Sequence, residues 1–114
     1  MSVRAGKLKA LGTSGRARSS VLPEVPTVSE AGVPGYEAVI WLGLMAPAKT
    51  PRAIVEKLNA EVRKFTSAPE TRAAWEKQGA TAMVMTTDEF ARYMREDIEK
   101  WARIVRLSGA KPDQ

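Results

Sequence analysis

The sequence predicts an α/β fold, and three observations carry the prediction. The most apolar stretch, residues 36–47, puts Val39, Ile40, Trp41, Leu42, Leu44 and Met45 on both faces of an extended run, which reads as a strand covered on both sides. Two later stretches repeat apolar residues at the 3.6-residue period of an amphipathic helix. Three Ser/Thr-x-x-Glu signatures, beginning at Thr27, Ser67 and Thr86, mark helix starts. The predicted order is strand, loop, short helix, long strand, helix, helix, strand, long helix. A few short strands make a thin sheet, and two amphipathic helices need something to cover, so the parts look like the end of a larger fold.

In chain order, Leu8-Lys-Ala-Leu-Gly-Thr13 alternates and suits one short strand after a turn at Gly6-Lys7. Thr13-Ser-Gly-Arg-Ala-Arg-Ser-Ser20 is a polar loop with two arginines. It is either a carboxylate-binding loop at a strand end or a plain surface connection. Val21–Pro26 is extended because each proline biases its predecessor away from helix. Thr27 and Glu30 form a capping box for a short helix that Gly32 and Pro34-Gly35 stop within about two turns. Gly43 inside the apolar run suggests a bulge or a close approach, and Pro47 ends it.

Thr50-Pro51 supplies an N-cap and a first helical residue. Ile54, Val55, Leu58, Val62 and Phe65 follow on one face. Ser67-Ala-Pro-Glu70 starts a helix through about Lys77, anchored by Trp75 and ended by Gly79. Ala80–Met85 is a short strand. Thr86-Thr-Asp-Glu89 then starts a helix to about Leu107, with Gly109 as its stop and Pro112 beyond. Phe90, Met94, Ile98, Trp101, Ile104 and Val105 make its stripe. Arg95 with Glu99 and Glu96 with Lys100 are spaced for i,i+4 ion pairs. Lys111–Gln114 should fray.

Composition excludes several chemistries. The 114 residues contain no histidine and no cysteine, which removes a His base, a Ser-His-Asp triad, a His-ligated metal, a disulfide framework and a thiolate nucleophile. The acids lie mainly in caps and on wet helix faces, and no glycine-rich phosphate loop is present. Neither an enzyme nor a cofactor or metal is expected. The formal charge of +5 comes from Lys and Arg scattered among Asp and Glu. It suits a solvated surface, with nucleic-acid binding as a distant alternative. The amino terminus lacks the apolar core and cleavage site of a signal peptide, and no run is long enough to span a membrane. Trp75 and Trp101 sit beside aliphatic residues at helical spacing and read as packing. Trp41, two residues before Gly43, suits a core or a cleft equally.

The order of several motifs resembles one family. Gly6-Lys-Leu-Lys-Ala-Leu-Gly-Thr-Ser14, Arg18-Ser19, Leu22-Pro-Glu-Val-Pro-Thr-Val-Ser-Glu-Ala-Gly-Val-Pro-Gly-Tyr36 and Trp41-Leu-Gly-Leu-Met-Ala-Pro-Ala-Lys-Thr-Pro51 carry the likeness. Ile54-Val-Glu-Lys-Leu-Asn-Ala-Glu61, Gln78-Gly79 and Lys100-Trp101 support it. Together they resemble the carboxy-terminal portion of the Bug-type solute-binding receptors of tripartite tricarboxylate transporters. The Leu-Pro-x-Val-Pro-Thr-x-x-Glu-Ala-Gly run is the specific part.

This resemblance implies part of a two-lobed, periplasmic-binding-protein-like α/β receptor that takes small carboxylates and feeds membrane permease subunits. On that map residues 1–35 are a remnant of the second lobe and 36–47 a long hinge-type strand crossing between lobes. Residues 48–114 are a helical part of the first lobe, all in one folded unit. The expected location is periplasmic, by resemblance alone. Much of the family's amide-rich carboxylate site falls outside the matched portion. Thr13, Ser14 and Trp41 are the candidate ligand-binding residues, placed by strand-end and hinge position. The alternative is a structural or interaction remnant that binds no solute and folds as a homo-oligomer through strand 36–47, whose unpaired edge invites a second copy. No nucleic-acid partner is expected.

Overall fold

Three helices hold the regular secondary structure of residues 3–110, which are the residues that the computed structural model describes. The expected fraying of Lys111–Gln114 and the stop at Pro112 lie outside them. Among the described residues no helix is long and apolar enough to cross a membrane.

Helix α1 spans Arg52–Ser67, α2 Pro69–Glu76 and α3 Thr87–Ser108. The start of α1 differs from the prediction by one position. Pro51, with φ −53° and ψ 135°, occupies the N-cap and no side chain caps the helix, so Thr50 is not the cap. Thr50 instead donates its N–H to the Pro47 carbonyl (2.9 Å). Proline's fixed φ leads the chain into the first turn, and the Pro51 carbonyl accepts the Ile54 N–H (3.0 Å). The second predicted capping box also fails. Ser67 is the last residue of α1, because Ala68 precedes Pro69 and is pushed to extended angles (φ −62°, ψ 133°). Pro69 then opens α2, as proline does at a first helical position. At the far end of α2, Gly79 takes φ 77°. Its N–H donates to Glu76 O (2.9 Å) and that of Ala80 to Trp75 O (3.0 Å), the two bonds of a Schellman close.

Helix α3 matches its signals at both ends. The Thr86 N–H donates to the Glu89 carboxylate (2.8 Å), and the Glu89 N–H donates to Thr86 Oγ1 (3.2 Å). Gly109 ends the helix in the left-handed region at φ 69°. Lys100 pairs with Asp97 (3.8 Å), where the i,i+4 spacing predicted Glu96, and lies 5.6 Å from the Trp101 ring centre.

The three predicted strands are not formed among the described residues. Their place is taken by one isolated parallel bridge, Thr13 to Thr27. A strand depends on a neighbour for its N–H and C=O groups, and here segments 8–13 and 36–47 make isolated backbone bonds, such as Thr13 N–H to Pro26 O and Ala38 N–H to Ser14 O, rather than a ladder. The reading of 36–47 as covered on both faces is corrected too: Ile40 and Leu42 are each 96% exposed. Trp41, between those two residues, is half-buried, while Val39 and Met45, on its side of an extended chain, are exposed. The short helix at Thr27 is likewise reduced to one turn. Its capping box forms, and Ala31 N–H donates to Thr27 O (2.9 Å). Gly32, at φ 127°, then ends it.

The chain divides into two units. One takes the described residues up to Met45 together with Pro69–Ala82; the other takes Ala46–Ala68 and the described residues from Met83. In the first unit the deepest burial is at Val25 and Thr27, at 6% and 2% exposure, with Thr71 of α2 next. In the second unit α1 meets the start of α3 through polar bonds. Asn59 Nδ2 donates to Met85 O (3.1 Å) and Thr87 Oγ1 to Glu56 Oε1 (2.7 Å). Arg52 lies 3.4 Å from both Glu56 and Asp88. The apolar stripes that the periodicity marks are largely in water: Ile54, Leu58, Val62 and Phe65 on α1, and Ile98, Ile104 and Val105 on α3, are exposed.

Candidate functional site

The loop that begins at Thr13 is held by the turn at Thr27. Thr13 N–H donates to Pro26 O (2.9 Å), and Val28 N–H donates to Thr13 O (2.9 Å). Gly12 makes room for this: a Cβ there would stand 3.2 Å from Val28 Cγ2. Ser14 O accepts the Ala38 N–H (2.9 Å), which brings residues 36–38 beside the loop. Thr13 is half-buried and Ser14 exposed. Of the three predicted site residues, Thr13 and Ser14 thus form one corner against residues 26–28 and 38. Trp41, half-buried, lies three residues beyond Ala38 in the chain.

The two loop arginines have partners that spacing did not reveal. Arg16 lies 3.2 Å from the Glu37 carboxylate. Arg18 Nε donates to Glu30 Oε2 (2.9 Å), and its terminal nitrogen donates to Pro23 O (3.4 Å). The Glu30 carboxyl is held below the usual carboxylate range, first by the Thr27 backbone N–H it accepts (2.8 Å) and then by Arg18. A carboxylate approaching the loop therefore meets arginines already matched to acids. The Ser14 hydroxyl is a neutral donor at this corner, while the Thr13 hydroxyl is directed at Pro26 O (3.5 Å). The partners lie about a dozen or more residues away, so no short-range signal in the sequence points to either pair.

Two hollows lie elsewhere. In the first unit Arg72, Glu76, Thr81 and Ala82 line one of about 90 Å3. In the second unit Val84, Met85, Glu89, Arg92, Tyr93 and Glu96 line one of about 340 Å3. Two carboxylates against one guanidinium make the larger hollow unsuited to an anion. Glu89 there is committed to the α3 cap, whose Thr86 N–H holds its carboxyl below the usual range. Among the described residues no group of three or more acids, histidines or cysteines could hold a metal ion.

The model of one family, described as the tripartite tricarboxylate transporter family receptor, matches residues 1–109. The chain belongs to this receptor family. Among its relatives within the curated proteins is the UPF0065 protein in the tcbD-tcbE intergenic region of Pseudomonas sp. (strain P51). That relative is 36% identical over 104 residues, covering 90% of this chain and 31% of the relative. BugT of Bordetella pertussis is 35% identical over 109 residues, covering 96% of this chain and 33% of BugT. A solved structure of R. palustris Rpa4515 with adipate superposes with a TM-score of 0.81 at 30% identity, over 95% of this receptor chain and 36% of that one. The receptor chain thus spans about a third of the length of these relatives.

Proposed function

We propose that this chain is part of an extracytoplasmic receptor that binds small carboxylates and delivers them to the membrane permease subunits of a tripartite tricarboxylate transporter. The family match along nearly the whole chain carries this reading. In it, residues 1–35 belong to the second lobe of a periplasmic-binding-protein-like α/β receptor. Residues 36–47 cross the hinge, and residues 48–114 belong to the first lobe. The passage from one unit to the other between Met45 and Ala46, inside the proposed crossing segment, supports the crossing, whereas Pro69–Ala82 group with the residues up to Met45 rather than with the rest of 48–114. Thr13, Ser14 and Trp41 border the cleft, and the ligand's carboxylate is held by hydroxyl and amide donors rather than by an unmatched arginine. The role is binding and delivery, with no bond made or broken, and the compartment is the periplasm.

The test is thermal unfolding of the chain with mono-, di- and tricarboxylates, adipate among them. A ligand at a hundred times its dissociation constant adds about 2.7 kcal/mol, which moves the midpoint of a domain this size by roughly ten degrees. A selective shift supports a working site in this chain. A cooperative transition that no carboxylate moves rejects it.

One observation favours a second reading. Ile40, Leu42 and Leu44 lie largely in water, and an uncovered apolar segment with open backbone groups pairs readily with a copy of itself. In this reading the chain binds no solute and associates as a homo-oligomer through residues 36–47. A monomeric mass at micromolar concentration rejects it.

A further inference from the structure

Glu30 stands where the capping box at Thr27 meets the far end of the 13–18 loop. Its Oε2 accepts the Thr27 N–H (2.8 Å) and the Arg18 Nε–H (2.9 Å), while its own N–H donates to Thr27 Oγ1 (3.1 Å). Thr27 is the most buried of the described residues and the bridge partner of Thr13. One end of the loop is therefore fastened to Thr27 through the bridge. The other end is fastened to the same turn through Arg18 and Glu30. A capping box alone needs only the Thr27 bonds; the Arg18 arm reaches across twelve residues of chain and closes the loop.

We propose that Glu30, acting through Arg18, is the positioning residue of the ligand loop and sets where Thr13 and Ser14 stand. This rests on the reading of Thr13 and Ser14 as cleft residues. An acid and a guanidinium at half exposure attract weakly by themselves. What makes this pair matter is its partner: the same carboxylate is already fixed by the amide of a buried residue, so little freedom is lost in holding Arg18.

The test uses Glu30→Gln, Arg18→Gln and the double variant, with Glu24→Gln as the control acid in the same segment. Glutamine serves a capping box as glutamate does, so E30Q keeps the turn and removes the charge that holds Arg18. Adipate affinity, by calorimetry, is expected to fall about two- to five-fold in each single variant. The double variant should bind no more weakly than the weaker single, since both break one link. E24Q should bind as the unsubstituted chain does. An R18Q chain of undiminished affinity, or losses that add in the double variant, overturns the proposal.

If the unsubstituted chain binds no carboxylate, the proposed function fails for this chain, and amide exchange decides the positioning role separately. Exchange at Thr13 and Val28 should quicken in both E30Q and R18Q. Unchanged exchange in R18Q overturns the role.

Discussion

Glu30 and Glu89 occupy the same local position, three residues after a capping threonine, and accept that threonine's N–H in the same way. Their outcomes differ because of the residues beyond them. Glu89 leads into nineteen residues of uninterrupted helix, whereas Glu30 meets Gly32 and Pro34 within one turn. Both carboxyls are held below the value of 4.5 that they have when unstructured, chiefly by those backbone amides. A depressed folded-state pKa contributes stability that is complete above 4.5 and is lost as pH falls through the folded value. The helicity of α3, followed by circular dichroism on acidification, should therefore begin to drop below pH 4.5, and Glu89→Gln should flatten that part of the curve. Thr86→Ala removes the other half of the box and should cost about 1 kcal/mol in a denaturant titration. Every residue of this cap was legible in the sequence because its bonds span three positions. The Arg18–Glu30 and Arg16–Glu37 pairs were not, because they depend on which segments the chain brings together.

At the scale of the elements, the periodicity correctly marked the apolar faces of α1 and α3 but said nothing of what covers them. The two helices meet through Asn59, Glu56 and Thr87 near the start of α3. Ile54 and Leu58 on α1, and Ile98 and Val105 on α3, remain exposed. The two kinds of position should respond differently to substitution. Asn59→Ala leaves the Met85 carbonyl without its donor and should cost about 1 kcal/mol. Ile98→Ser should change stability by only about 0.5 kcal/mol or less, as surface substitutions do, while lowering any tendency to self-associate. Denaturant midpoints compare the two variants directly, and an Ile98→Ser loss as large as that of Asn59→Ala would show that Ile98 is packed.

At the scale of the whole molecule, the chain changes unit at three places: between Met45 and Ala46, between Ala68 and Pro69, and between Ala82 and Met83. The chain spans about a third of the length of BugT and of the strain P51 relative. Within residues 36–47, Ile40, Leu42, Leu44 and Met45 lie largely in water. If a second copy covers them, Ile40→Ser with Leu42→Ser should shift the mass in solution from oligomer to monomer. An oligomer of unchanged mass would place the contact elsewhere.

The sequence by itself determined the helices, the Thr86 cap, the glycine stops at Gly79 and Gly109, and the family likeness, because each rests on residues a few positions apart or on an ordered string of motifs. Prolines decided two helix starts differently from the cap signals, through rigid local geometry at Pro51 and Pro69 that overrode a nearby Ser or Thr. Only the tertiary structure decided whether the apolar runs became strands. Pairing needs a second segment at the right distance, and periodicity within one segment carries no information about a neighbour. The same holds for the loop at Thr13: its residues were visible in the sequence, and its closure on Thr27 and Glu30 was decided by contacts between distant parts of the chain.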